Sequence, residues 1–205
     1  MTLWLGLAAA LLAGVDAWQQ RRALKALTPS AVDIGFAQSM SAHHQQAVMM
    51  AQFMLDGRPT PLRGRAQAIA GTQTLETGRM QGWLLLWDRP LLPVTAGMGW
   101  MLVGHAPPDE ALKAYLLDCQ KSGGMPGQPT VTELDRLRRL DGVARDRLFV
   151  TLMLRHHEGA LPMARFAATN ATMSPVRNLA ANIVREQAEE LVLLRRTLAA
   201  MPPSP

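Results

Sequence analysis

Displaced against itself by 113 residues, this chain repeats. Asp33 meets Asp146, Phe36 meets Phe149 and Met40 meets Met153; His43 and His44 meet His156 and His157. Ala47, Met50 and Phe53 then meet Ala160, Met163 and Phe166. With one further residue of offset, Pro61, Arg63, Ala66, Ile69, Gln73 and Glu76 meet Pro175, Arg177, Ala180, Ile183, Gln187 and Glu190. A match of this length is a duplicated unit, covering 31–88 and 143–200, and it restricts the folds open to the chain. Both copies must form the same supersecondary element, and two like elements bury their apolar faces against each other.

That element is a helical hairpin. Strand formers are scarce, with one Tyr and four Phe in 205 residues, while Ala, Leu, Arg, Gln and Met favour helix. The first helix is expected over about 31–55, ending where Gly57 and Pro59 break it. The second opens at Thr60 as cap with Pro61 in the first turn and runs to about Trp87. In the second unit the helices cover about 143–169 and, from Ser174-Pro175, to about Ala200. The expected fold is all-α: a four-helix bundle of ferritin-like type, built from two repeated hairpins with pseudo-two-fold symmetry. It forms a single domain over 31–200, interrupted by a Gly/Pro/Met-rich insert at 89–142. Within the insert, short helices are expected at about 109–120 and at 130–140, the latter with Thr132 as its cap.

The first 30 residues read differently. The run "LWLGLAAALLAGV" (3–15) suits the apolar region of a signal peptide, with small residues before a cleavage point after Ala17. An uncleaved membrane anchor is the other reading. Residues 2–15 carry no Lys or Arg, whereas Arg21, Arg22 and Lys25 follow, so loop charge alone would leave the following domain inside. Export remains the expectation, giving an extracytoplasmic protein: secreted, periplasmic or held at the cell surface. The net charge of +5 is spread as single or paired Arg along helices, with no basic stripe interleaved with aromatics, so nucleic acid is not an expected partner.

The chemistry lies on the first helix of each unit. Met40, His43, Ala47 and Met50 fall at i, i+3, i+7 and i+10 and share a face, with His44 flanking it. Met153, His156, Ala160 and Met163, with His157, do the same. Met at helical spacing is ordinarily core filler. Doubled His repeated in register with Met is not, because burying imidazoles without partners is costly and Leu would pack as well. Imidazole binds several transition metals, and neutral thioether sulfur adds preference for Cu(I). With Cys119 as the single cysteine, no Cys-pair site exists, and zinc or iron is the less favoured ion. The candidate metal ligands are therefore Met40, His43, His44, Met50, Met153, His156, His157 and Met163, holding copper either separately in each half or in one shared site. Glu76 and Glu190 stand as ring-orienting partners or direct ligands. Asp33 and Asp146 read as caps or first-turn acids. His105, Met98, Met101 and Met125 in the insert are weaker candidates, read first as structural.

The series "D-x2-F-x3-M-x2-HHQQAV-x-M", "Q-x2-E-x3-M-x2-WL" and "D-x2-F-x3-M-x2-HHEGA-x2-MA" resembles the domain-of-unknown-function-305 family over about 31–200. "GMGWM" and "MPG" resemble its methionine-rich linkers. The resemblance implies a ferritin-like four-helix bundle, exported or membrane-anchored, with some members implicated in copper binding and tolerance. Leu194 stands opposite Met80, and Gln128 follows "MPG", so the sulfur set here is thinner and less symmetric. The leading functional expectation is a Cu(I)-binding, sequestering or chaperoning protein that exchanges metal with a donor or acceptor protein. Two alternatives stand beside it. One is a ferritin-like di-metal oxidase, disfavoured because no Glu lies three residues before a His. The other is a structural or partner-docking bundle.

Overall fold

The computed structural model describes residues 14–19, 28–93, 97–122 and 124–202. The expected signal or anchor segment falls mostly outside these residues; 14–19 form an exposed helical stretch. Among the described residues no helix is long and apolar enough to cross a membrane.

The described secondary structure is entirely helical. The first hairpin is α1 (Ala31–Phe53) and α2 (Arg63–Leu86). A 3-10 turn at Gly99–Leu102, α3 (Glu110–Ser122) and α4 (Val131–Arg139) make up the insert. The second hairpin is α5 (Gly142–Asn170) and α6 (Ser174–Ala200). Each hairpin is closed by its own two helices, and the hairpins meet mainly through α1 and α5.

Local chemistry explains most boundaries. Ser30 and Asp33 form a capping box: the Ser30 hydroxyl accepts from the Asp33 amide at 3.2 Å, and the Asp33 carboxylate accepts from the Ser30 amide at 2.7 Å. Such a cap stabilises a helix start by about 1 kcal/mol. After Met54 the chain turns through Gly57, whose φ of 95° favours glycine. Two expected caps are corrected. Thr60 lies in the turn ahead of α2, whose N-cap is Leu62; its hydroxyl accepts from the Leu62 amide at 3.0 Å. In α4 the cap is Thr130, not Thr132, because Glu133 three residues after Thr130 completes a capping box.

Two interactions cross between the units and follow the repeat. Asp33 at the start of α1 accepts from the Thr172 hydroxyl (2.5 Å) and the Met173 amide (3.0 Å), in the loop joining α5 and α6. In the other unit Thr60, in the loop joining α1 and α2, donates to Asp146 of α5 at 2.7 Å. Each unit thus uses its repeated aspartate to hold the other's loop. Burial alone would raise the Asp33 carboxyl, but hydrogen bonds from Ser30, Thr172 and Met173 hold it below the usual carboxylate value. Asp146 is buried within α5, five residues past the Asp141 N-cap, and so is not a cap.

The apolar core is in two parts. One contains Phe36 and Met40 of α1, Met80 and Leu84 of α2, Ala160 and Met163 of α5, and Leu179 and Ile183 of α6. The other contains Ala47 and Met50 of α1, Ala66 and Ile69 of α2, Phe149 and Met153 of α5, and Leu194 of α6. Along the four long helices the two parts are separated by about two turns on α1 and α5 and about three on α2 and α6. The residues in that gap include His43, His44, Gln73, Glu76, His156, His157, Gln187 and Glu190. A polar layer therefore divides the core at its middle.

The insert lies along this assembly and fits into two notches. A Cβ on Gly35 of α1 would sit 2.2 Å from Cγ of Trp100, whose indole N–H donates to the Ser39 hydroxyl at 3.1 Å. A Cβ on Gly159 of α5 would sit 1.9 Å from the Pro126 carbonyl oxygen. Only glycine permits either approach. Of the weaker candidates in the insert, Met98 and Met101 are core residues and His105 is exposed.

Candidate metal centre

All four repeated histidines are fully buried in the polar layer. His43 of α1 and His156 of α5 meet at its centre, ring centroids 3.7 Å apart and tilted by 37°. His157 lies 6.1 Å from His156, centroid to centroid. An imidazole pair, one ring from each copy, thus lies at the interface between the two units.

The hydrogen bonds assign the protons. His44 Nε2 donates to the Glu76 carboxylate at 2.8 Å, and His157 Nε2 donates to Glu190 at 2.5 Å. His156 Nε2 donates to the His43 carbonyl at 3.0 Å. Each of these three rings therefore turns a bare Nδ1 lone pair into the protein. Those Nδ1 atoms, and both ring nitrogens of His43, are buried with no hydrogen-bond partner. The carboxamides of Gln73 and Gln187, beside them in the layer, are likewise unpartnered.

Such groups are expensive. A buried polar group left unsatisfied costs roughly 1–3 kcal/mol, so five imidazole nitrogens cost an amount comparable to a whole domain's stability of about 5–15 kcal/mol. On His44 and His157 the lone pair is oriented by a carboxylate on the opposite ring nitrogen, and on His156 by a carbonyl, the arrangement by which histidines are set up to bind a metal. The donor set fits a soft or borderline ion.

Electrostatics keep the central pair neutral. Burial, and then the neighbouring His44 and His157, push the His43 pKa well below its usual value; the Pro126 carbonyl facing the ring opposes this without reversing it. His156 is lowered in the same way, by burial and by the other three histidines. Neutral imidazole is the ligand form, so protons compete with a metal here only in acid.

The methionines predicted beside the histidines are fully buried one to two turns away. Met40 and Met163 lie in the core on one side of the layer, Met50 and Met153 on the other. Among the described residues no group of three or more His, Cys, Asp or Glu is arranged to hold a metal. Any ion in the layer would therefore depend on imidazoles together with thioethers or carboxamides. Two features were not foreseen from sequence: the unpartnered carboxamides, and the Met125-Pro126-Gly127 turn, which closes over Gly159 and His43. The repeat pairs Gln73 with Gln187, which was the available signal for the first; a glycine directly after the second His-His-Glu was the signal for the second.

Solved structures share this architecture. A candidate secreted DUF305 protein from Streptomyces coelicolor matches with a TM-score of 0.70 and 32% identity, over 85% of this chain and 98% of that one. CopM in its Cu(I)-bound form matches with a TM-score of 0.56 and 25% identity, over 80% and 93% of the two chains. CopM in its Cu(II)-bound form matches at 0.57 and 26%, over 82% and 95%. No curated protein matches the chain significantly. The model of the family described as a domain of unknown function, DUF305, matches residues 33–198, and the chain belongs to that family.

Proposed function

We propose that this protein binds copper outside the cytoplasm, taking up Cu(I) as cargo in the polar layer and releasing it to a partner protein without turnover. The observation that carries this reading is the set of five buried imidazole nitrogens with no hydrogen-bond partner, three of them on rings oriented from the far side by Glu76, Glu190 or a carbonyl. His43, His44, His156 and His157 would supply nitrogen, and Met40, Met50, Met153 and Met163 the sulfur on either side. Two neutral, soft donor types suit Cu(I) better than zinc, which gains little from thioether. The 3.7 Å approach of His43 and His156 favours one shared site over two separate ones. Copper-bound forms of CopM, and the candidate secreted relative, support both the ion and the compartment. The four long helices lining the same two apolar clusters fit a ferritin-like four-helix bundle.

The di-metal oxidase is the weaker reading. Its carboxylates would be Glu76, Glu158 and Glu190; Glu76 and Glu190 are already engaged by an imidazole N–H, and Glu158 is exposed and paired with Arg195. An anaerobic titration with Cu(I) against a chromophoric chelator tests the proposal. Replacing the four histidines with alanine should abolish tight binding in the layer; unchanged affinity would refute it.

A further inference from the structure

A cavity of about 550 Å³ lies between α1 and the insert. Its wall includes Ser39 and Ala42 of α1, Met98, Cys119 of α3, Met125 and Gln128. Among the described residues that line it none is charged, and the rest are apolar, glycine or carboxamide. Met98, Cys119 and Met125 also belong to, or pack against, one apolar cluster. Three sulfur-bearing residues from three separate parts of the insert thus line one neutral chamber. A volume of this size is ordinarily a binding pocket.

We propose that this cavity is a second soft-metal site, in which the sulfurs of Met98, Cys119 and Met125 take a monovalent cation such as Ag(I) or Cu(I). The donors decide the ligand class. Two thioethers and one thiol, without carboxylate or imidazole, offer nothing to a hard cation and match a polarisable monovalent one. Binding exchanges one bond for another at Cys119: the S–H bond breaks, a metal–sulfur bond forms, the proton leaves to solvent, and no oxidation state changes. The resulting site has a net charge of zero, suited to a wall with no charged group. Burial pushes the Cys119 thiol up to about 11, so at neutral pH the sulfur holds its proton until a metal displaces it. The position of the cavity is also informative. Ala42 precedes His43, and Met125 precedes Pro126, whose carbonyl faces the His43 ring. The chamber therefore lies one residue, on two sides, from the fully buried imidazole layer.

The site uses none of the residues assigned to the layer, so the two can be tested separately. Silver(I), which is redox-inert, is added to the full chain in the presence of excess monothiol, and the bound ions are counted by native mass spectrometry. The expected result is that Met98→Leu/Met125→Leu binds one silver fewer than the parent chain, with Cys119 still present. The same loss is expected in a His43→Gln/His156→Gln background. Leucine conserves the volume of methionine, so these variants keep the packing. An unchanged silver count in the methionine variant would overturn the proposal, leaving at most a lone thiol. Loss of the same ion in the histidine variant alone would also overturn it, by assigning that ion to the layer.

Discussion

Acid should destabilise the metal-free protein through His43 and His156, and the size of the effect follows from their burial. Both rings are fully buried and have pKa values well below 6.5 in the fold, whereas in the unfolded chain each returns to about 6.5. A lowered histidine pKa means that the unfolded state binds more protons below 6.5, so stability is retained above that pH and lost as pH falls beneath it. Each ring then contributes a slope approaching 1.4 kcal/mol per pH unit. From pH 7 to roughly pH 5 the two together remove about 4 kcal/mol, provided their folded values lie below the lower pH. The carboxyls with lowered values, such as Asp33 and Glu133, take effect only below their ordinary values of 3.8 and 4.5, at the edge of this window or beyond it. Urea unfolding followed by circular dichroism, at several pH values in that interval, measures the loss. The His43→Gln/His156→Gln variant provides the subtraction, since every other ionisable group is present in both chains. The variant's pH dependence should be flatter by about 4 kcal/mol across the interval. Equal pH dependence in the two chains would refute the assignment of the central pair as neutral, desolvated imidazoles.

Four further outcomes follow. Asp33→Ala should cost roughly 3 kcal/mol, because it removes the carboxylate half of a capping box and charged hydrogen bonds to the other unit; Thr172→Val, which removes the hydroxyl bond and leaves the Thr172 and Met173 amides on the carboxylate, should cost about half as much in the same urea assay. Gly159→Ala should destabilise more than Gly35→Ala. The first meets a backbone carbonyl at 1.9 Å and the second a side chain at 2.2 Å, so a thermal melt should order them that way. Glu76→Gln should lower Cu(I) affinity by about 10-fold or more, as loss of a ring-orienting carboxylate does elsewhere, and chelator competition reads it directly. Met50→Leu should weaken Cu(I) retention while leaving the urea midpoint nearly unchanged, because leucine fills the same volume.

The architecture was legible in the sequence because duplication and helical spacing are both local patterns. Eight side chains at matching offsets placed four imidazoles on two helix faces, and the structure brings those faces together. The caps were less legible. Thr132 and Thr60 look like caps by residue type, but the competing Thr130 has its glutamate at the third helical position, and Thr60 is drawn into a bond with Asp146. The cross-unit ties were not legible, since Thr172 and Thr60 sit in loops where no periodicity marks a partner 139 or 86 residues away. The roles of Gly35 and Gly159 were also hidden. Each is an unremarkable helical residue until Trp100 or Pro126 is seen against it. The insert's contribution is tertiary, and sequence spacing carries no record of it.

The most direct test is X-ray absorption at the copper edge, on full-length Cys119→Ser protein loaded anaerobically with one equivalent of Cu(I). A duplicated hairpin that grips a soft ion between its copies predicts a mixed coordination shell of imidazole nitrogen and thioether sulfur, with the nitrogen component lost in His43→Gln/His156→Gln. A shell without imidazole scattering, or one that the two substitutions leave unaltered, would contradict it.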